Sequence, residues 1–383
     1  MNRVPVRALL AAMALGLVAL FVAACGSSDD STSSSSADST QLTFKLTDDG
    51  CDPVKASAPA GPIDFTVENG GTSKYTELEV LDGETILGER ENIIEGASGS
   101  FSLTLEEGEY AVRCQEAGGE GEGVLKVTGK VETNKSPAID KAIADYRSYL
   151  EENTDELTAK TKPFVVAVIA GNIAKAKQLY PEARIPYERI EPVAESFGDL
   201  DPRIDAREND VPPSEFGGFH RIEKALWEEE SLKGMKPVAE ELEANVEELE
   251  QKVKGVKLQA VQIANGANEL LTEVSTSKIT GEEERYSHID LVDFKANVEG
   301  SQVAFEAVAP LMEKTDPKLV KEIEADFEAV YASLKPYETK EWPGFVLYEE
   351  LNKADTRKLA QGINTLAEKL SLVPAQIAKG EQA

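Results

Sequence analysis

The chain has 383 residues, with 40 Lys plus Arg against 70 Asp plus Glu and a formal net charge of −30 at pH 7. So acidic a protein is repelled by phosphate backbones and by anionic lipid, which excludes nucleic acid as a partner and excludes lying flat on a membrane. The same field concentrates cations, yet only two histidines and three cysteines are present to hold them.

In chain order, Arg3 and Arg7 precede the apolar run ALLAAMALGLVALFVAA (residues 8–24). A short basic region followed by an apolar core is a secretory signal, assigned here to residues 1–24. The run is short for a membrane-spanning helix, which is the competing reading. It ends in Val22-Ala23-Ala24-Cys25, small residues directly before a cysteine, as in a bacterial lipobox. Cys25 is then the lipidated mature N-terminus. The protein is expected on the outer face of the cytoplasmic membrane, on the periplasmic or cell-surface side, held by lipid alone. Residues 25–40 are Ser-rich and nearly free of apolar side chains, so they read as a flexible tether.

Residues 41–129 alternate with the period of strands. Leu42, Phe44 and Leu46 alternate, as do Ile63, Phe65 and Val67, and the second run ends in the turn signal Asn69-Gly70-Gly71. TELEVLDG, SFSLTLEEG and EYAVRC follow, each beside glycine. Regular short runs with Gly turns predict an antiparallel β-sandwich. Cys51 and Cys114 lie in it, an even number in an exported chain, and form either a disulfide or a pair of thiolate ligands. No histidine occurs in this stretch. An ordinary blue-copper centre, which needs two, is therefore excluded.

KVETNKS (residues 130–136) marks a boundary, and beyond Pro137 the period becomes helical. Helices are expected in DKAIADYRSYLEENTDEL, over 157–180, in VAEELEANVEELEQKVKGV, and over 255–275, 287–309, 316–335 and 354–379. Residues 137–383 thus form an all-α bundle, of a length that suits two four-helix units.

FGGFHRIEKALWEEE (residues 216–230) carries His220, one of the two histidines. On a helical wheel of about 100° per residue, Phe219, Ile222 and Leu226 form a core stripe. His220, Glu223 and Trp227 lie at its edge, and Arg221, Lys224 and Glu228 on the solvated side. The i,i+3 spacing brings His220 and Glu223 together. This is a metal-ligand spacing in helical bundles, and equally that of a hydrogen-bonded histidine with an acidic neighbour. The His-Glu-x-x-His signature of metalloproteases is absent. Upstream, residues 180–208 gather Glu182, Glu188, Glu191, Glu195, Asp199, Asp201, Asp205 and Glu208 among prolines, as further ligands or as a solvated loop. Downstream, RYSHIDLVDFKANVEGSQ holds His288 and places Asp290, Asp293 and Asn297 on one helical face, as a second polar cluster or a buried hydrogen-bond network.

GFHRIEKALW, YPEARIPYERIEP, FGDLDPRIDARE and SHIDLVDFKANVEGSQ together resemble the imelysin-like, peptidase-like domain of the EfeO family of exported iron-uptake proteins. The resemblance covers roughly residues 137–380. DDGCDP, ERENI and EEGEYAVRC resemble the cupredoxin-like domain that precedes it. The resemblance implies a metal site at His220 and Glu223, completed by Glu182, Glu188 and Asp201. It also implies a second metal site, or a disulfide, at Cys51 and Cys114 with acidic residues such as Glu77 or Glu89. The implied cargo is iron, ferrous or ferric, in the helical domain, with copper or iron in the sandwich. Implied partners are an iron permease and a haem-type peroxidase. The lipobox departs from the best-known Gram-negative members, which are soluble in the periplasm. Carboxylates with one imidazole suit iron chemically. A metal-dependent peptidase and an adhesive or scaffold lipoprotein are the alternative functions, and a monomer is the expected state.

Overall fold

A computed structural model describes residues 39–83, 85–114, 122–130 and 136–380. The signal segment, Cys25 and nearly all of the tether lie outside these residues. Among the described residues no helix is long and apolar enough to cross a membrane.

The N-terminal region is a two-sheet sandwich. Its strands are β1 (Thr40–Thr47), β2 (Gly50–Asp52), β3 (Lys55–Pro59), β4 (Gly61–Asn69), β5 (Leu78–Asp82), β6 (Thr85–Arg90), β7 (Ser98–Leu105), β8 (Gly108–Arg113) and β9 (Glu122–Thr128). One sheet runs β2-β1-β4-β7 and the other β3-β9-β8-β5-β6. The alternating residues point into the core: Leu46, Ile63, Phe65 and Val67 are fully buried, and Phe65 stacks on Phe101 with ring centres 4.8 Å apart. The sandwich is not wholly antiparallel, because β1 pairs with β4, and β3 with β9, in parallel. Alternation shows which face of a strand is buried but not its direction, and crossovers between sheets set the direction. Cys51 and Cys114 form a disulfide with Cα atoms 5.7 Å apart, which joins β2 of one sheet to the end of β8 in the other. A disulfide sulfur is not a thiolate, so the reading of these cysteines as metal ligands gives way to the disulfide.

The helical region comprises α1 (Pro137–Ile169), α2 (Ile173–Ala194), α3 (Leu200–Asp205), α4 (Gly218–Trp227), α5 (Lys236–Gly255), α6 (Ala260–Thr276), α7 (Asp290–Met312), α8 (Pro317–Leu334), α9 (Lys353–Leu370) and α10 (Val373–Gly380). They share one continuous apolar core that runs from Tyr146 to Ala378. The helix expected over 157–180 is divided between α1 and α2 at Gly171, whose φ of +70° no helical residue adopts.

The proline-studded stretch 180–194 is helical, not a loop. Pro181, Pro186 and Pro192 all lie within α2. A helical proline leaves the carbonyl four residues earlier without its usual donor. For Pro192 that carbonyl belongs to Glu188, and it accepts a hydrogen bond from Asn297 Nδ2 on α7 at 3.1 Å. The loss inside one helix is thus made good by its neighbour. The same part of α2 lies directly on the backbones of α6 and α7. A Cβ on Gly266 would sit 1.8 Å from the Pro192 carbonyl oxygen, and one on Gly300 would sit 2.2 Å from that of Arg189.

The sandwich and the helices belong to one compact unit. Arg90 at the end of β6 pairs with Glu269 of α6. Asn265 Nδ2 donates to the Ser102 carbonyl of β7 at 2.7 Å in a buried contact.

Gly266→Ala must push α6 away from α2, an overpacking change that should cost about 2–3 kcal/mol. A fall in the urea midpoint of unfolding is expected, and a midpoint equal to the wild type's would refute the close approach.

Candidate metal centre

The centre is assembled from α2, α3, α4, α7 and the turn before α7. Helix α4 begins at Gly218, which has a φ of +63°. A Cβ there would lie 2.1 Å from the Ile204 carbonyl oxygen. The start of α4 therefore abuts the end of α3 so closely that only glycine fits. That contact brings His220 to Asp205, the last residue of α3. The amphipathic pattern of α4 then turns the imidazole inward: His220 is 1% exposed and Glu223 is 0% exposed.

The two ring nitrogens have different surroundings. Nδ1 faces Glu223 Oε2 at 3.2 Å. Glu223 Oε1 accepts from the backbone N–H groups of Tyr286 and Ser287 at 2.8 and 2.7 Å. Both oxygens of Glu223 are thus engaged, and they fix the ring. Nε2 is buried and has no hydrogen-bond partner among the described residues. It lies 3.5 Å from Asp205 Oδ1 and 3.5 Å from Glu283 Oε1. Ligand atoms of Asp205, His220 and Glu283 fall within 4.8 Å of one another, as do those of His220, Glu223 and Glu284. An imidazole oriented by a carboxylate on one nitrogen, with its other nitrogen free towards two carboxylates, fits a metal ion.

Cations of the protein itself balance these acids. Arg184 is fully buried. It pairs with Asp205 and Glu188, with Glu283 at 3.2 Å, with Glu284 at 2.8 Å and with Asp293 at 3.1 Å. Lys278 pairs with Glu191 and lies 3.6 Å from both Glu188 and Glu283. Asn297 Nδ2 also donates to Glu188 Oε2 at 2.9 Å and to Glu191 Oε2 at 2.6 Å.

Environment divides the acids. Burial pushes Glu283 up, but Lys278, Arg207 and His220 hold it well below the usual carboxylate range. Glu223 is likewise pushed up by burial and brought below its ordinary value by His220 and the two backbone donors. Burial, with Glu223 and Asp293 nearby, drives Glu284 well above its ordinary value. Burial is also the largest cause that raises Asp290 to about 6, Asp201 to about 7 and Asp293 to about 8. For His220, burial and Arg184 disfavour the imidazolium, but Asp205, Glu223 and Glu283 outweigh them and raise the pKa to about 9.

Several residues picked out in the sequence meet here and others do not. His220 and Glu223 are at the centre, and Glu188 lies in the surrounding ion-pair network. Asp201 is partly buried and accepts from Tyr187 OH rather than meeting His220. Glu182 is exposed and pairs with Lys160 at 3.0 Å. Asp293 and Asn297, read as a separate cluster, join the same network. His288 contributes backbone only: its N–H donates to the Glu284 carbonyl, and its carbonyl accepts from Tyr348 N, each at 2.8 Å. Glu283, Glu284, Arg184 and Lys278 were not anticipated. GEEER reads as a solvated charge run, and the i,i+4 pair Arg184–Glu188 reads as a surface pair. The prolines beside that pair were the available sign that α2 is packed in the interior.

In the sandwich, Glu77 and Glu89 do not group with Cys51 and Cys114. They group with Glu91, their ligand atoms within 4.8 Å of one another. Burial, then Glu273, Glu269 and Asp201 of the helical region, raise Glu91 to about 8.

Comparison with known proteins places these features in context. The family model described as imelysin (peptidase M75) matches residues 142–373. The model for a cupredoxin-like domain matches residues 13–127. The chain is similar to the iron uptake system component EfeO of Escherichia coli (strain K12), with 39% identity over 343 residues, covering 88% of this chain and 91% of that protein. It is equally similar to the proteins of the same name from Shigella flexneri and Shigella sonnei.

The raised groups share one pH dependence. The folded protein holds protons on Asp290, Asp201, Asp293 and His220 over a range in which the unfolded chain has released them. Stability from this source is complete below the unfolded values and is lost as pH rises through the folded ones. The melting temperature of metal-free protein should therefore fall from about pH 5 to about pH 9. A flat or rising profile in calorimetric scans would contradict the charge distribution.

Proposed function

This chain belongs to the EfeO family of iron uptake components, with a cupredoxin-like region before an imelysin domain, and we propose that it captures one iron ion between His220, Asp205 and Glu283. The observation that carries this reading is the buried Nε2 of His220, unpartnered and 3.5 Å from each of the two carboxylates. Two hard oxygen donors and one imidazole suit iron in either common oxidation state. Glu223 is then a positioning residue. It fixes the proton on Nδ1 and aims Nε2 at the metal, and its two backbone hydrogen bonds hold it there. Binding exchanges the Nε2 proton for the ion. Asp205 is the least buried member, and the partly exposed Arg207 pairs with Glu283 at 3.1 Å.

The site is built to hold an ion rather than to hydrolyse a peptide. Zinc hydrolysis requires an open coordination position and a base free to take a proton from water. Here the imidazole is buried, both oxygens of Glu223 are engaged by His220 and two backbone N–H groups, and the neighbouring Asp205, Glu283 and Glu284 are all paired with Arg184. This favours a non-enzymatic carrier over the peptidase suggested by the family label. A second cation, in the sandwich, falls to Glu77, Glu89 and Glu91, and a set of oxygens alone favours iron over copper. In this reading the protein is an exported monomer, lipid-anchored at Cys25 beside a membrane permease and a haem-type peroxidase, and it delivers its iron to the permease.

Calorimetric titration with Fe²⁺ under anaerobic conditions tests the site. His220→Ala and Asp205→Ala should each abolish tight binding at the helical site while the circular dichroism stays native. Glu223→Gln should keep the stoichiometry and weaken affinity about 10–100-fold, the usual effect of removing a residue that orients a ligand. Wild-type stoichiometry and affinity in a His220→Ala/Asp205→Ala double variant would rule out this assignment.

A further inference from the structure

The carboxylates offered to iron are already held by a cation of the chain. Arg184 is the bulkiest of the fully buried side chains among the described residues. Its guanidinium bonds Asp205 and Glu283, two of the three proposed ligands, and also Glu284, which groups with His220 and Glu223. Guanidinium keeps its charge at any pH a protein survives, and its planar fork bridges several carboxylates at once. It therefore cannot leave the cluster by losing a proton. Its two remaining partners, Glu188 and Asp293, belong to neither group around His220.

We propose that Arg184 is the resident counter-cation of the iron site: it holds Asp205 and Glu283 in place when no iron is bound, and it must yield them for iron to bind. This rests on the assignment of iron to His220, Asp205 and Glu283. On binding, Arg184 withdraws onto Glu188 as its counter-ion and Asp293 as a hydrogen-bond acceptor, so it does not become an unpaired charge in the interior. Iron binding is then a cation exchange. The exchange keeps the metal-free site assembled, and it limits affinity, since each ligand iron gains is one that Arg184 gives up. It also supplies a path for release, because Arg184 returning to Asp205 and Glu283 displaces the ion. A simple structural role predicts otherwise: an arginine that only supports the fold would, when removed, weaken binding along with stability.

The test uses the full mature chain and Fe²⁺ under anaerobic conditions, with affinity read by calorimetry, release by stopped-flow transfer to a chelator, and melting temperature with and without iron. Arg184→Gln should lower the metal-free melting temperature and enlarge the rise caused by iron. It should also bind iron about tenfold more tightly, as expected when a competing buried charge is removed, and release it more slowly. Should Arg184→Gln fail to fold, Arg184→Lys gives the answer. It keeps one charge but lacks the fork, so its affinity should rise by a smaller factor, and wild-type or weaker affinity overturns the proposal. If wild type binds iron, His220→Ala/Asp205→Ala does not, and Arg184→Gln binds no more tightly than wild type, the counter-cation role is wrong and the iron site stands. If the double variant binds as wild type does, the iron site itself has failed.

Discussion

An ionised carboxylate stays in a protein interior only where a cation or several hydrogen-bond donors meet it. That constraint shapes the helical region. Glu188, Glu191, Asp205, Glu223, Glu283, Glu284 and Asp293 converge from separate elements, and the buried cations Arg184 and Lys278 stand among them. The acids outnumber these cations, so the excess is relieved in two ways. Some carboxyls, such as Glu284 and Asp293, keep their protons to unusually high pH. Others, such as Glu223, are held as anions by imidazole and backbone N–H groups. The remaining negative potential falls on the buried Nε2 of His220, which makes no hydrogen bond among the described residues.

Such a cluster needs a rigid frame, and its parts depend on unusual backbone arrangements. Three prolines in α2 would ordinarily end a helix. Here the polar face of α7 supplies a donor to the carbonyl freed by Pro192, from the same Asn297 amide that bonds the Glu188 and Glu191 carboxylates. One side chain thus repairs the helix and organises the charge network. Glycines at 266 and 300 let the backbones approach directly, and Gly218 lets α4 meet the end of α3. The frame and the site are therefore not separable: residues that make the fold possible also set the distances at the centre.

How much of this could be read from sequence depends on range. The period-2 and helical patterns report local burial, and they placed the sandwich before the helices and His220 beside Glu223 at the edge of a core stripe. The parallel pairing of β1 with β4 was illegible because it depends on a crossover, which alternation does not encode. The stretch through Pro181, Pro186 and Pro192 could be read as helix or as solvated loop, because local rules for proline omit a donor from a distant helix. Glu283 and Glu284 look like solvated charge until the turn before α7 folds them against His220. Glu182 and Asp201 are close in sequence to the buried carboxylate cluster around His220 but do not meet His220: the turn of α2 points Glu182 to solvent, and Asp201 accepts from Tyr187.

The same balance of charge bears on the proposal that the chain is a carrier and not a catalyst. A catalytic metal site keeps its ion and leaves a position open for substrate, so it gains from ligands that have no other use. A carrier must bind and also let go, and a site whose ligands have a second, internal partner does both. The metal-free state is then a paired and folded alternative instead of a set of repelling anions, and the difference between the two states is small because one set of ion pairs replaces another. Two-state devices in proteins work on just such small differences between competing arrangements. In this protein a competing arrangement is visible: of the four carboxylates around His220, those of Asp205, Glu283 and Glu284 also pair with Arg184.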